Sequence, residues 1–179
     1  MWGEVNKKDP THSQEVKLCA VMPPIKKMDS AQLSMLKSCE KLSLSTNSIE
    51  RIAPLKLKKL KILSLGRNKI TKIDNLQSVS STLEQLWISY NFITSLDGVL
   101  CCTKLHTLYC SNNKITKWSE IAKLKDLKEL RDVVFYGNDI QRELDEHSYR
   151  IAVLSAIPQV KKIDGKLVTP IEREEASNA

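Results

Sequence analysis

Cys101, Cys102, His106 and Cys110 are the residues of this chain best spaced to do chemistry. Four such side chains within ten positions could hold a zinc ion. Two features count against it. There is no C-x-x-C pair, and Cys110 falls on a core position of the repeat described below, where a free thiol behaves as a small hydrophobe. With Cys19 and Cys39 the cysteines number five, an odd count that cannot close into a complete disulfide framework. The histidines are scattered: His12 in an expected tail, His106 at a strand edge, His147 in an expected capping helix. Asp164 beside Gly165 reads as a turn instead of a lone catalytic acid. No G-x-S-x-G, Gly-rich phosphate loop or H-E-x-x-H motif occurs, and five glycines leave little room for one. The expectation is a binding protein without metal or cofactor, and not an enzyme.

The elements that position these residues must come from one domain. The chain has 179 residues, 41% hydrophobic and 27% charged, ordinary values for a globular unit with a buried core. No apolar run approaches the ~18 residues that a membrane helix needs. The first residues lack a basic segment followed by an apolar one, so the chain is expected in the reducing interior of a cell. Its net charge of +7 is uneven: residues 36–140 hold seventeen Lys/Arg against ten Asp/Glu, and the flanks nearly balance. Such a middle favours an acidic partner.

Internal repetition is the strongest signal. Five segments share the form L-x-x-L-x-L-x-x-N-x-I-x-x-I, running for example through Leu60, Leu63, Leu65, Asn68, Ile70 and Ile73. The asparagines Asn47, Asn68, Asn91, Asn113 and Asn138 are 21, 23, 22 and 25 residues apart. That period predicts an α/β leucine-rich repeat solenoid, with short parallel strands on the concave face and helical caps at both ends. In each L-x-L the aliphatics point inward. Each asparagine sits where the chain leaves the sheet, and its amide can satisfy backbone there. These five are assigned a structural role.

The segment 1–14 is expected to be flexible, 15–168 to form the repeat domain with its caps, and 169–179 to be a polar, frayed tail. At the front, Gln14 to Val21 reads as a short helix stopped by Pro23-Pro24. Ile25, Met28, Leu33 and Leu36 then continue as a degenerate opening repeat. At the back, Leu144, Ser148, Ile151, Leu154 and Ile157 share one face of a helix ending at Pro158, and Val160 to Gly165 resembles a truncated strand and turn.

The residues flanking the inward aliphatics point onto the concave face. The central column is Ser43, Ser64, Trp87, Tyr109 and Val134; the next holds Ser45, Gly66, Ser89, Ser111 and Tyr136. The column before each asparagine holds Thr46, Arg67, Tyr90, Asn112 and Gly137. Small residues among four rigid aromatics suit a protein interface. Four positions after each asparagine stand Arg51, Lys72, Ser95, Lys117 and Arg142, a basic ridge for an acidic surface, away from the aromatic patch.

Several runs resemble the leucine-rich repeat light chains of ciliary outer-arm dynein: Met22-Pro-Pro-Ile-Lys-Lys-Met-Asp29, Cys39-Glu-Lys-Leu-Ser-Leu-Ser-Thr-Asn47, Leu86-Trp-Ile-Ser-Tyr-Asn91 and Val134-Phe-Tyr-Gly-Asn138. The similarity covers roughly residues 15–168 and includes the exposed Arg67, Trp87 and Tyr90. It implies a non-catalytic subunit of the axoneme of a cilium or flagellum. The implied partner is an axonemal dynein heavy chain at the microtubule-binding tip of its stalk, with tubulin as a further acidic partner and neither membrane nor nucleic acid. The first 14 residues, Leu100-Cys-Cys-Thr103 and a less acidic tail depart from that pattern. Two other classes stay open. A phosphatase-regulating solenoid would carry about twice as many repeats. A splicing-particle solenoid would need more Lys/Arg beside its exposed aromatics than Arg67 and Lys41 supply.

Overall fold

A computed structural model describes residues 10–178. Residues 1–9, most of the segment expected to be flexible, lie outside the described residues. Eight short strands form one sheet in sequence order. They are β1 (Glu15–Lys17), β2 (Lys41–Ser43), β3 (Ile62–Ser64), β4 (Gln85–Trp87), β5 (Thr107–Tyr109), β6 (Asp132–Val134), β7 (Lys162–Ile163) and β8 (Lys166–Leu167). Pairing is parallel from β1 to β7 and antiparallel between β7 and β8. The helices are α1 (Ser30–Leu33), α2 (Trp118–Ala122), α3 (Glu146–Ala156) and α4 (Pro170–Asn178).

The register stacks Val16, Leu42, Leu63, Leu86, Leu108, Val133 and Ile163 into one buried column. Leu44, Leu65, Ile88, Cys110 and Phe135 form a second buried row. The asparagines bind consecutive repeats together. Asn91 Oδ1 accepts from Ile70 N–H (2.9 Å), and its Nδ2 donates to the Leu65 carbonyl (3.0 Å), both in the preceding repeat, and to Ile88 (3.1 Å) in its own. Asn47, Asn68, Asn113 and Asn138 repeat this pattern.

The C-terminal cap is the expected helix, α3 stopping before Pro158, followed by the short strand β7 and a turn; other details of the two caps differ from expectation. Residues 15–17 form a strand, not part of a helix over 14–21. Val16 faces the core between exposed neighbours, and Gln14 O accepts the N–H groups of Glu40 and Lys41, so sheet pairing overrides local propensity. The α-helix at this end is the single turn α1, whose N-cap Asp29 accepts from Ala31 and Gln32 N–H. At the other end α3 buries Tyr149, Arg150, Val153 and Leu154, while Ser148 is exposed and Ile151 half-exposed. The polar tail is not frayed: it forms α4. Thr169 and Glu172 bond reciprocally across its first turn, and Glu172 is buried against Arg150.

Candidate functional site

Strand register assembles the central column as Lys17, Ser43, Ser64, Trp87, Tyr109 and Val134. Trp87 and Tyr109, adjacent on β4 and β5, stack with centroids 6.0 Å apart and planes within 16°. Both rings are half-exposed. The covered indole Nε1 has no hydrogen-bond partner among the described residues, so stacking and packing hold this ring. The Tyr109 hydroxyl donates to Asp132 (3.0 Å), which also pairs with Lys162 (3.2 Å). Burial, and then the Asp132 carboxylate, raise the Tyr109 pKa above the usual phenol value, keeping the hydroxyl a donor. Ser43 bonds Cys19 Sγ (3.0 Å). Ser64 is buried and bonds Ser45 (2.7 Å), so it belongs to the floor beside the aromatic pair. Val134 is half-buried at the far end of the column.

The residues before the asparagines share a backbone state. Thr46, Arg67, Tyr90, Asn112 and Gly137 all have φ between 50° and 77°. Left-handed φ is disfavoured for side chains such as Arg and Tyr. Here the ladder enforces it: Arg67 N–H reaches Ser89 O and Tyr90 N–H reaches Ser111 O, both at 2.9 Å. Successive rungs place the Arg67 guanidinium 4.4 Å from the Tyr90 ring centroid. Tyr90 and Tyr136 remain 47% and 60% exposed.

Residues of the face that the sequence reading passed over are Ile62, Gln85, Asp132 and Lys162. They occupy a further column, aligned by the same strand pairs. The two-residue alternation that exposes Trp87 also exposes Gln85, so the signal was present. Phe92, 48% exposed directly after Asn91, was missed too.

The basic ridge is interrupted. Arg51, Lys72 and Lys117 are exposed and have no ion pair among the described residues; Arg142 contacts Asp139 (3.3 Å). In the third repeat the Ser95 hydroxyl lies within hydrogen-bond distance of Asp97 (2.8 Å) and Glu120 (2.9 Å), and Lys123 closes on both carboxylates. The cysteines and His106 do not come together as a metal centre: no cluster of three His, Cys, Asp or Glu that could hold an ion occurs among the described residues. Burial pushes the thiols of Cys102 and Cys110 up to about 12. Nor is any helix among the described residues long and apolar enough to cross a membrane.

Comparisons with known proteins agree with the repeat. The family model described as Leucine Rich repeats (2 copies) matches residues 37–78, 81–123 and 103–148. Dynein axonemal light chain 1 of Chlamydomonas reinhardtii is 49% identical over 174 residues, 94% of this chain and 87% of that protein. The Homo sapiens protein of that name is 48% identical over 176 residues, 97% of this chain and 92% of its own length. Among solved structures, a leucine-rich repeat protein of Leptospira interrogans aligns with TM-score 0.65 at 21% identity, covering 85% of this chain and 37% of that one. A chain of the Drosophila melanogaster SNF/U2A' complex aligns with TM-score 0.58 at 17% identity, covering 92% and 79%. These two likenesses bear on the fold alone.

Proposed function

This chain belongs to the axonemal dynein light chain 1 family, and from that premise we propose that it binds the stalk-tip domain of a dynein heavy chain through its concave face. It is a ciliary dynein light-chain subunit of the axoneme. It acts by binding, not catalysis, and tunes the motor from the microtubule-binding end of the stalk. The observation that carries the docking site is the stacked, half-exposed Trp87–Tyr109 pair, extended by Tyr90 with its Arg67 and by Tyr136. Rigid rings offer large contact area at low entropic cost, and interface energy concentrates in such residues. The exposed cations Arg51, Lys72 and Lys117 lie on the return side of the repeats and meet acidic surface, of the heavy chain or of tubulin, through salt-sensitive contacts.

The test is titration of the isolated stalk-tip fragment at two ionic strengths. Trp87→Ala is expected to weaken binding by at least ~2 kcal/mol, about thirtyfold in Kd, and to lower melting only by what the lost stacking on Tyr109 contributes, with the fold retained. Joint charge reversal of Arg51, Lys72 and Lys117 should act mainly on the association rate and its salt dependence. Equal binding by wild type and Trp87→Ala would remove the concave face as the site.

A further inference from the structure

A cleft of about 520 Å³ separates the end of the concave face from the C-terminal cap. The exposed rings of Tyr90 and Tyr136 line it, as do Tyr149 and Arg150 of α3 and Asp164 of the β7–β8 turn; Glu146 and Lys166 stand at its solvent side. Its lining charges, Glu146 and Asp164 against Arg150 and Lys166, balance in number, but a fifth charge, Glu172 outside the lining, draws Arg150 away. Arg150 is taken up by Glu172 and by the carbonyls of Ile163 (3.0 Å) and Leu167 (3.1 Å). Lys166 is taken up by Glu146. Asp164 accepts two backbone N–H groups on one oxygen, from Phe135 (2.8 Å) and Tyr136 (3.1 Å), and forms no ion pair within 4.0 Å among the described residues. One carboxylate is therefore left over.

Beside it lies a second unsatisfied group. Tyr149 is 1% exposed, yet its hydroxyl has no hydrogen-bond partner among the described residues. Its pKa is raised by burial and then by the neighbouring Asp164, although the two groups miss hydrogen-bonding geometry. A neutral phenol can donate and accept, and leaving it unpaired is unfavourable. An apolar occupant would strand both groups, and an anion would meet Asp164 with the cleft's cations already engaged.

We propose, on the reading that the concave face docks the heavy chain, that this cleft receives an arginine side chain projected by that partner. A guanidinium is planar, matches a carboxylate, and stacks on tyrosine faces. Arg67 over Tyr90 shows the same pairing made within the chain.

The experiment is NMR titration of the full chain with N-acetyl-arginine amide, beside N-acetyl-citrulline amide as the neutral analogue. Arginine should shift the amides of Tyr136, Asp164 and Gly165 and bind at least fivefold more tightly than citrulline. Asp164→Asn keeps an acceptor for both backbone N–H groups and suits φ +48°, so the fold is retained while the arginine preference is lost. Equal shifts from both probes, or an unchanged preference in Asp164→Asn, would overturn the assignment. With the stalk-tip fragment, Asp164→Asn should weaken binding at least fivefold and flatten its salt dependence. Weakening by Trp87→Ala but not by Asp164→Asn overturns the cleft and leaves the docking face standing. No effect of Trp87→Ala overturns the docking face, and the partner's arginine with it.

Discussion

Glu172→Gln isolates the interaction that locks the C-terminal cap. Arg150 is 6% exposed, and its fork is occupied. Nε and Nη2 reach Glu172 (2.5 and 3.2 Å), Nη1 reaches Ile163 O, and Nη2 also reaches Leu167 O. Glu172 in turn accepts Thr169 N–H (2.7 Å) and hydroxyl (3.0 Å). Glutamine keeps one acceptor oxygen but leaves the guanidinium buried without its countercharge. Removing one partner of a buried pair costs ~3–5 kcal/mol, and the retained acceptor sets the expectation at the low end, ~3 kcal/mol. For a chain this long that is a fall in Tm of roughly 6–12 °C. The pH dependence has a definite sign. The Arg150 hydrogen bond, aided by Thr169, lowers the Glu172 pKa from 4.5 to about 2. A pKa depressed in the folded state contributes stability that is full above ~4.5 and is lost as pH falls towards ~2. Other lowered carboxylates, such as Glu15, Glu40 and Glu146, are common to both proteins and cancel in the difference. Circular-dichroism melts and amide exchange over α4, at pH 7, 5 and 3, should show a gap between wild type and variant that is open at pH 7 and narrows at pH 3. Equal Tm and equal α4 protection at pH 7, or a gap that stays constant down to pH 3, would refute the reasoning.

Asn91→Leu strips the partner from Ile70 N–H and from the Leu65 and Ile88 carbonyls; with ~1–3 kcal/mol for a stranded buried group, we expect a loss of at least ~3 kcal/mol, read as a lower urea midpoint at unchanged m. Gly98→Ala would set a Cβ 1.6 Å from the Ile73 carbonyl oxygen, a backbone atom that cannot swing aside, so thermal melts should show ~3 kcal/mol of destabilisation.

The solenoid was legible because its rule is local and repeated. One L-x-L leaves strand and helix undecided, but five in register with an asparagine fix period, face and turn. Where the repeat stops, so does that advantage. Glu15-Val-Lys17 carries a strand's alternation, but over three residues this cannot outweigh a plausible helix, and only pairing with β2 decides. Thr169-Pro-Ile-Glu172 holds the signature of a capped helix start, with proline in its first turn, and was readable. That Arg150 lies on the buried face was not, because its countercharge is 22 residues away.

The concave columns follow from the alternation of strand residues, and the register assembles Trp87, Tyr109 and Val134 as that alternation dictates. The Arg67–Tyr90 contact follows from something else. Nothing in those two side chains favours a left-handed backbone; the neighbouring repeats impose it, and the ring and the guanidinium meet as a consequence. The Asp164 cleft lies further still from any local signal. Its walls come from the third, fourth and fifth repeats, and Tyr149, Arg150 and Asp164 from a helix and a hairpin outside the repeat. A periodic sequence specifies an evenly built face, which any partner of suitable shape could approach along its whole length. Selectivity requires the period to be broken. The places where this chain breaks it, a tryptophan among serines and a carboxylate left over at the cap, are where partner recognition should be sought.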